Sequence, residues 1–317
     1  MNKTFGQRLA TKVANSFLLR SGKKLHEEHL HDFQLGGSYL QKALANLYLI
    51  AHDYGEGLFP PKLGSRESTF EQEREQHVSF ESDNYDDILA YSMGKPATHP
   101  LTLLKTYYWV FGQVAEILES RGINPPSRIL ELGCGQGWLS ELLAMRGYDV
   151  TGCTIAPVHI ETAKRRIASL KQKGIDAKLD FFCAPMEETP KHVDLNKPFD
   201  VAFCFEALHH VFSWRESLDA MNKCVRPGGY LMLLNEPPRL HTYFAYRSSK
   251  ILKTHEIGFN TREVINYIKN LGYSDVQVTH PVYVDRPGQF WKAFMPFTFG
   301  DGAVMARGFW IAARKNS

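Results

Sequence analysis

The chain has 317 residues, 44% of them hydrophobic and 22% charged, enough for one large domain or one domain with a substantial appendage. A formal charge of +3 is too small to mark nucleic acid as the main partner. No apolar run is long enough to span a bilayer, and the start lacks the apolar core of a secretory signal, so a cytoplasmic protein is expected.

Residues 1–97 read as an N-terminal helical appendage. The first stretch, MNKTFGQRLATKVANSFLLRSGKK, carries Lys3, Arg8, Lys12, Arg20, Lys23 and Lys24 with no acid, while Phe5, Leu9, Val13 and Phe17 recur at helical spacing. Such a basic amphipathic helix packs on the parent domain, the reading favoured here, or lies on an anionic membrane surface, or acts as a targeting peptide. The run HEEHLHD from His26 to Asp32 resembles a metal cluster, but its spacing gives only a lone E-x-x-H, so no metal is expected. SYLQKALANLYLIAHDYGEG reads as a buried helix closed by Gly55, and the acidic segment GSRESTFEQEREQHVSFESDNYDD as a surface stretch without regular structure. The appendage is expected to serve as a lid or a homodimer contact.

From Pro100 the texture changes. LTLLKTYYWVFGQVAEILESRG is an apolar helix ending near Gly122, and strand and helix signals then alternate. Strands are expected at 128–132, 149–153, 179–183, 201–205 and 230–234, followed by a helix in TREVINYIKNLG and strands in DVQVTHPVYV and ARGFWIAARK. This is an α/β pattern: a seven-stranded, mostly parallel sheet with helices on both faces, in a domain of residues 98–317. Cys134, Cys153, Cys183, Cys204 and Cys224 fall in or beside these elements without a C-x-x-C pair, as reduced core residues would.

The chemistry gathers at strand ends. In ELGCGQGW, Gly133, Gly135 and Gly137 let the backbone turn sharply and approach a ligand, and the next helix offers its unpaired N–H groups. A dinucleotide fingerprint would need glycine where Trp138 stands, and Glu131 would repel a pyrophosphate while suiting an ammonium group. An amino-acid-bearing nucleoside fits better.

With FDVAFCFEALHHV and CVRPGGYLMLLNEPP following in order, the sequence resembles the class I S-adenosylmethionine-dependent methyltransferases, whose fold is Rossmann-like. The resemblance implies S-adenosylmethionine as cofactor. It places Glu131, Gly133, Cys134, Gly135, Gln136 and Gly137 around the methionine moiety. It puts Thr154 where the family has a ribose-binding acid, a turn similar to that of cyclopropane-fatty-acid-synthase-like members. Pro185 and Met186, with Ala184, then stand beside the adenine.

Two regions are candidates for the acceptor. After the fourth strand, Glu206, His209 and His210 lie where ligands of open α/β sheets bind, and a histidine there could take a proton, brace the loop, or both. After the fifth strand, an insertion at about 237–260 is dense in polar and aromatic groups. Arg239 and Arg247 could hold an anionic group there, and His241, Tyr243 and Tyr246 could wall a small-molecule substrate. The expected reaction is methyl transfer to a small-molecule acceptor at oxygen or nitrogen by in-line displacement. Rival readings are a C-methyltransferase acting on a lipid or quinone at a membrane surface, and a binding protein that kept the fold without turnover.

Overall fold

The computed structural model describes residues 3–30, 38–60, 64–79, 93–97, 101–284, 297–299 and 304–317. Seven strands form one sheet: β1 (Arg128–Leu132), β2 (Asp149–Thr154), β3 (Leu179–Cys183), β4 (Phe199–Phe205), β5 (Val225–Glu236), β6 (Tyr273–Thr279) and β7 (Phe309–Lys315). Their spatial order is β3-β2-β1-β4-β5-β7-β6, with β1 to β5 parallel and β7 antiparallel to both its neighbours. The order reverses between β1 and β4, which opens a crevice beyond their carboxyl ends. A separate hairpin pairs 297–299 with 304–306.

Burial on both faces explains why the central strands read as unbroken apolar runs. On one face Ile129, Val201, Phe203 and Met232 pack with Val114 and Leu118 of the apolar helix Leu101–Glu119, and with Leu139 and Leu143 of the helix after the glycine loop. On the other, Leu130, Leu132, Cys204 and Leu233 meet Leu218 and Met221 of Trp214–Cys224 and Val264 and Ile268 of Thr261–Asn270. Among the cysteines, all free, Cys134, Cys153, Cys204 and Cys224 are buried and Cys183 is exposed.

The N-terminal helices are α1 (Phe5–Ala14), α2 (Arg20–Glu28), α3 (Tyr39–Glu56) and α4 (Arg66–Ser79). Three expectations change here. The α3 helix runs through Gly55 and ends at Gly57, whose φ of 75° supplies the left-handed cap. Gly55 instead admits α1, since a Cβ there would lie 2.5 Å from Thr11 Oγ1. Residues 66–79 are helical rather than irregular, and the acidic tail from 80 to 87 lies outside the described residues. The apolar stripe of α1 faces outward rather than onto the parent domain: Phe5, Leu9 and Val13 are exposed, as is Phe17 just beyond the helix.

Candidate functional site

The glycine loop leaves β1 over the reversal point. Gly133, Gly135 and Gly137 all have positive φ, and Gly137 starts the helix Trp138–Met145. A Cβ on Gly133 would lie 2.5 Å from both Ala207 Cβ and Met186 Cε, so three segments meet there. A Cβ on Gly135 would meet nothing within 4 Å. The loop thus leaves open room beside a backbone that only glycine adopts without strain, as a cradle for a ligand requires. Cys134 lends backbone, its N–H donating to Cys153 O at 2.8 Å.

Glu131 is buried beneath this loop and accepts a hydrogen bond from Ser140 Oγ. Burial pushes its carboxyl up to about 8, with Ser140 only partly offsetting that. Such a carboxyl is poised to become charged when a cation arrives.

Gln136 and Thr154 turn inward. Gln136 Nε2 is 3.2 Å from His159 Nε2, and Thr154 Oγ1 is 3.4 Å both from His159 Nδ1 and from Ala156 N. Sequence reasoning missed His159, which ties the two turns together and carries no motif of its own. The hydroxyl expected to stand in for the ribose-binding acid is thus engaged within its own turn. Arg166 adds a second tie, donating from Nε to Gln136 O at 2.9 Å and pairing with Glu141. Ala184 and Met186 are buried, and Pro185 opens the short turn that holds Met186.

At the ends of β4 and β5, Glu206 (φ 48°) and Asn235 (φ 56°) both adopt the left-handed region, and Asn235 Nδ2 donates to Glu206 Oε1. Two neighbouring non-glycine residues in that region mark a site held by its surroundings. Next to them Glu236, fully buried, accepts from Ala207 N (3.0 Å) and Leu208 N (2.9 Å) and sits 2.9 Å from His209 Nδ1. Burial opposes its charge, but His209 and the two backbone donors win and hold its carboxyl below the usual range. Burial would lower His209 in turn, yet Glu236 raises it to about 9.

His210, half-buried, faces Glu256 of the insertion (Nε2–Oε1 3.8 Å) and Glu73 of α4 (Nδ1–Oε2 3.6 Å). His241 is buried with Nε2 3.0 Å from Glu256 Oε2. Burial works against the Glu256 charge, but His210, His241 and His209 bring it down to about 2. His241 thus joins the histidines after β4.

The other insertion candidates part company. Tyr246 OH donates to Asp53 Oδ2 of α3 at 2.6 Å. The buried Arg247 donates from N to Asn46 Oδ1, from Nε to His26 Nδ1 and from Nη2 to His29 O. Both side chains are used up in fastening α2 and α3 to the insertion, which corrects their expected place at a substrate. Tyr243 is exposed near Phe59, and Arg239 is exposed along a cleft of about 550 Å³ shared with Asn260 and Arg262. The run from His26 also changes meaning. His26 receives the Arg247 guanidinium, and burial followed by Arg247 lowers its pKa, while His31 and Asp32 lie outside the described residues.

A parallel sheet in this order, a glycine cradle with a buried acid beneath it and a polar cluster past β4 define the class I methyltransferase fold. Comparison with known proteins agrees. Residues 130–233 match the model of the family described as "Methyltransferase domain". That portion of the chain is similar to the class I S-adenosylmethionine-dependent methyltransferases in sequence, and the sheet around it has their fold.

Curated relatives include the mitochondrial ubiquinone biosynthesis O-methyltransferase of Schizosaccharomyces pombe, 34% identical over 38% of this chain and 42% of that protein. The ubiquinone biosynthesis O-methyltransferase of Vibrio atlanticus is 29% identical over 48% of this chain and 65% of that one. The chain therefore spans less than two thirds of either relative. Among solved structures, magnesium protoporphyrin IX methyltransferase from Synechocystis PCC 6803 with bound SAH superposes with a TM-score of 0.52. It is 14% identical and covers 76% of this chain and 98% of that one, a likeness of fold.

Proposed function

We propose that this protein transfers a methyl group from S-adenosylmethionine to an oxygen of a small-molecule acceptor. The observation that carries the reading is the cradle at Gly133–Gly137 above the buried Glu131, facing the polar cluster that follows β4. Likeness to the ubiquinone biosynthesis O-methyltransferases favours oxygen and a quinone-related acceptor. The cofactor supplies a methyl already activated on a sulfonium. In our reading Glu131 and the loop backbone hold its methionine moiety, and Ala184, Pro185 and Met186 contact its base. Catalysis by the chain is then mostly positioning and exclusion of water.

The acceptor's proton goes to His210, the more exposed histidine of the cluster, which Glu256 and Glu73 face. Glu206 shapes the crevice floor through Asn235. The N-terminal helices act as a cover fastened by Asp53, Tyr246 and Arg247, with α4 reaching the cluster through Glu73. Calorimetry with S-adenosylhomocysteine, followed by transfer of labelled methyl to a panel of hydroxylated quinone precursors, tests this. Absence of binding would leave only a fold.

A second element of the reading is peripheral membrane contact. Phe5 (75% exposed), Leu9 (52%) and Phe17 (84%) line an outward face flanked by the exposed Arg8, Lys12 and Arg20. Among the described residues no helix is long and apolar enough to cross a membrane. Sedimentation with vesicles of anionic lipid should fall several-fold in a Phe5→Asp/Phe17→Asp variant, and equal sedimentation would refute the contact.

A further inference from the structure

The cluster past β4 has a feature that proton transfer does not need. His209, His210 and Glu256 each present a ligand atom, all within 4.8 Å of one another. Both imidazole-to-carboxylate approaches measure 3.8 Å, too long for hydrogen bonds. Ligand atoms around a tetrahedral ion with bonds of about 2.0–2.1 Å stand roughly 3.4 Å apart, so small side-chain rotations close the set.

The outer contacts are those of ligands held ready. His209 Nδ1 is engaged with the Glu236 carboxylate at 2.9 Å, which directs Nε2 into the cluster. Glu236 is itself fixed by two backbone N–H groups. Glu256 Oε2 is engaged by His241 at 3.0 Å.

A second observation comes from a different element. Glu73 on α4 has only 3% of its surface exposed, and its Oε2, with no hydrogen-bond partner, points to within 3.6 Å of His210 Nδ1. Its other oxygen accepts from His255 N at 2.7 Å. A carboxyl oxygen buried without a hydrogen-bond partner is costly, and a cation beside it would relieve that cost.

We propose that His209, His210 and Glu256 form a binding site for a divalent transition-metal ion, with Glu73 adjoining it. Two imidazole nitrogens and a carboxylate suit zinc, manganese, iron or cobalt better than magnesium or calcium. The ion would hold and polarise an acceptor oxygen; that use rests on the methyl-transfer reading, whereas the binding does not. The linear spacing hides the set, because its members come from the turn after β4, the insertion and α4.

The test is calorimetric titration of the untagged full chain, stripped with a chelator, with Zn²⁺ and separately with Mn²⁺. Affinity for S-adenosylhomocysteine and a thermal melt are read in parallel. One ion per chain is expected. Its affinity should fall at least tenfold in Glu256→Gln and in His210→Ala while cofactor affinity stays within twofold, and His26→Ala should leave ion binding unchanged. Where His210→Ala fails to melt cooperatively, His210→Gln replaces it. No saturable binding, unchanged affinity in both cluster variants, or loss only in His26→Ala would overturn the site. Loss of cofactor binding with ion binding intact would instead strike the methyl-transfer reading alone.

Discussion

Glu131 gives the sharpest quantitative expectation. Its carboxyl, fully enclosed under the glycine loop, titrates at about 8 instead of 4.5 because burial disfavours its charge. Our reading pairs it with the ammonium of the cofactor's methionine moiety, which needs the charged form. Apparent affinity then scales with the fraction ionised, about 1% at pH 6 and about half at pH 8, so binding of S-adenosylhomocysteine should tighten roughly fifty-fold over that interval. Protons should be released on binding, seen as a buffer-dependent heat in calorimetry. The Glu131→Gln variant keeps the Ser140 contact but has no charge to gain, so its affinity should be flat with pH. A flat profile in the unaltered protein would refute the pairing.

The same group fixes a sign for stability. Between the ordinary carboxyl value and about 8 the folded chain holds a proton that the unfolded chain has lost, so stability falls as pH rises through that window. The melting temperature of Glu131→Gln should therefore overtake that of the parent as pH climbs from 5 to 8. Each kcal/mol is worth roughly 2–4 °C in a domain of this size.

Further expectations rest on other contacts. Gly135→Ala and Gly122→Ala both place a side chain at positive φ in open space, costing about 1 kcal/mol each, but only Gly135→Ala should abolish cofactor binding. Equal binding in both would remove the loop from the cofactor. Glu236→Ala strips the acceptor from two buried backbone N–H groups, and destabilisation of about 2–5 kcal/mol by denaturant titration is expected. A loss under 1 kcal/mol would mean the turn after β4 is held by something else. Tyr246→Phe breaks the link to Asp53 and should speed proteolysis within the N-terminal helices while leaving cofactor affinity intact; unchanged cleavage would show that Arg247 and Asn46 suffice.

The sheet was legible in the sequence because its strands are buried on both faces and announce themselves as apolar runs between turn residues. Boundaries at β1 and β3 match to the residue, while β4 and β5 begin earlier, at Phe199 and Val225, where polar and glycine residues obscured the start. The glycine loop was legible because backbone geometry dictates residue type there. Side-chain direction was not. Tyr246 and Arg247 look like substrate groups in a polar insertion, and only the approach of α2 and α3 shows them spent on Asp53 and His26. Residues 66–79 carry so many charges that no apolar face stands out; the helix is secured by a few contacts such as Phe70 with Phe212 and Arg66 with Glu216. The apolar spacing of α1 was read correctly as a stripe and wrongly as a packing face, since periodicity fixes a face without saying what covers it.

Glu73 and Glu256 both lie outside residues 130–233, the portion shared with the methyltransferase family, yet each contacts a histidine that lies inside it. The crevice is therefore lined partly by the family-matched portion and partly by segments beyond it. A fragment trimmed to the shared portion would keep the glycine loop and lose both carboxyl groups that face His210. In our reading, acceptor preference is then open to change in α4 and the insertion with the glycine loop untouched.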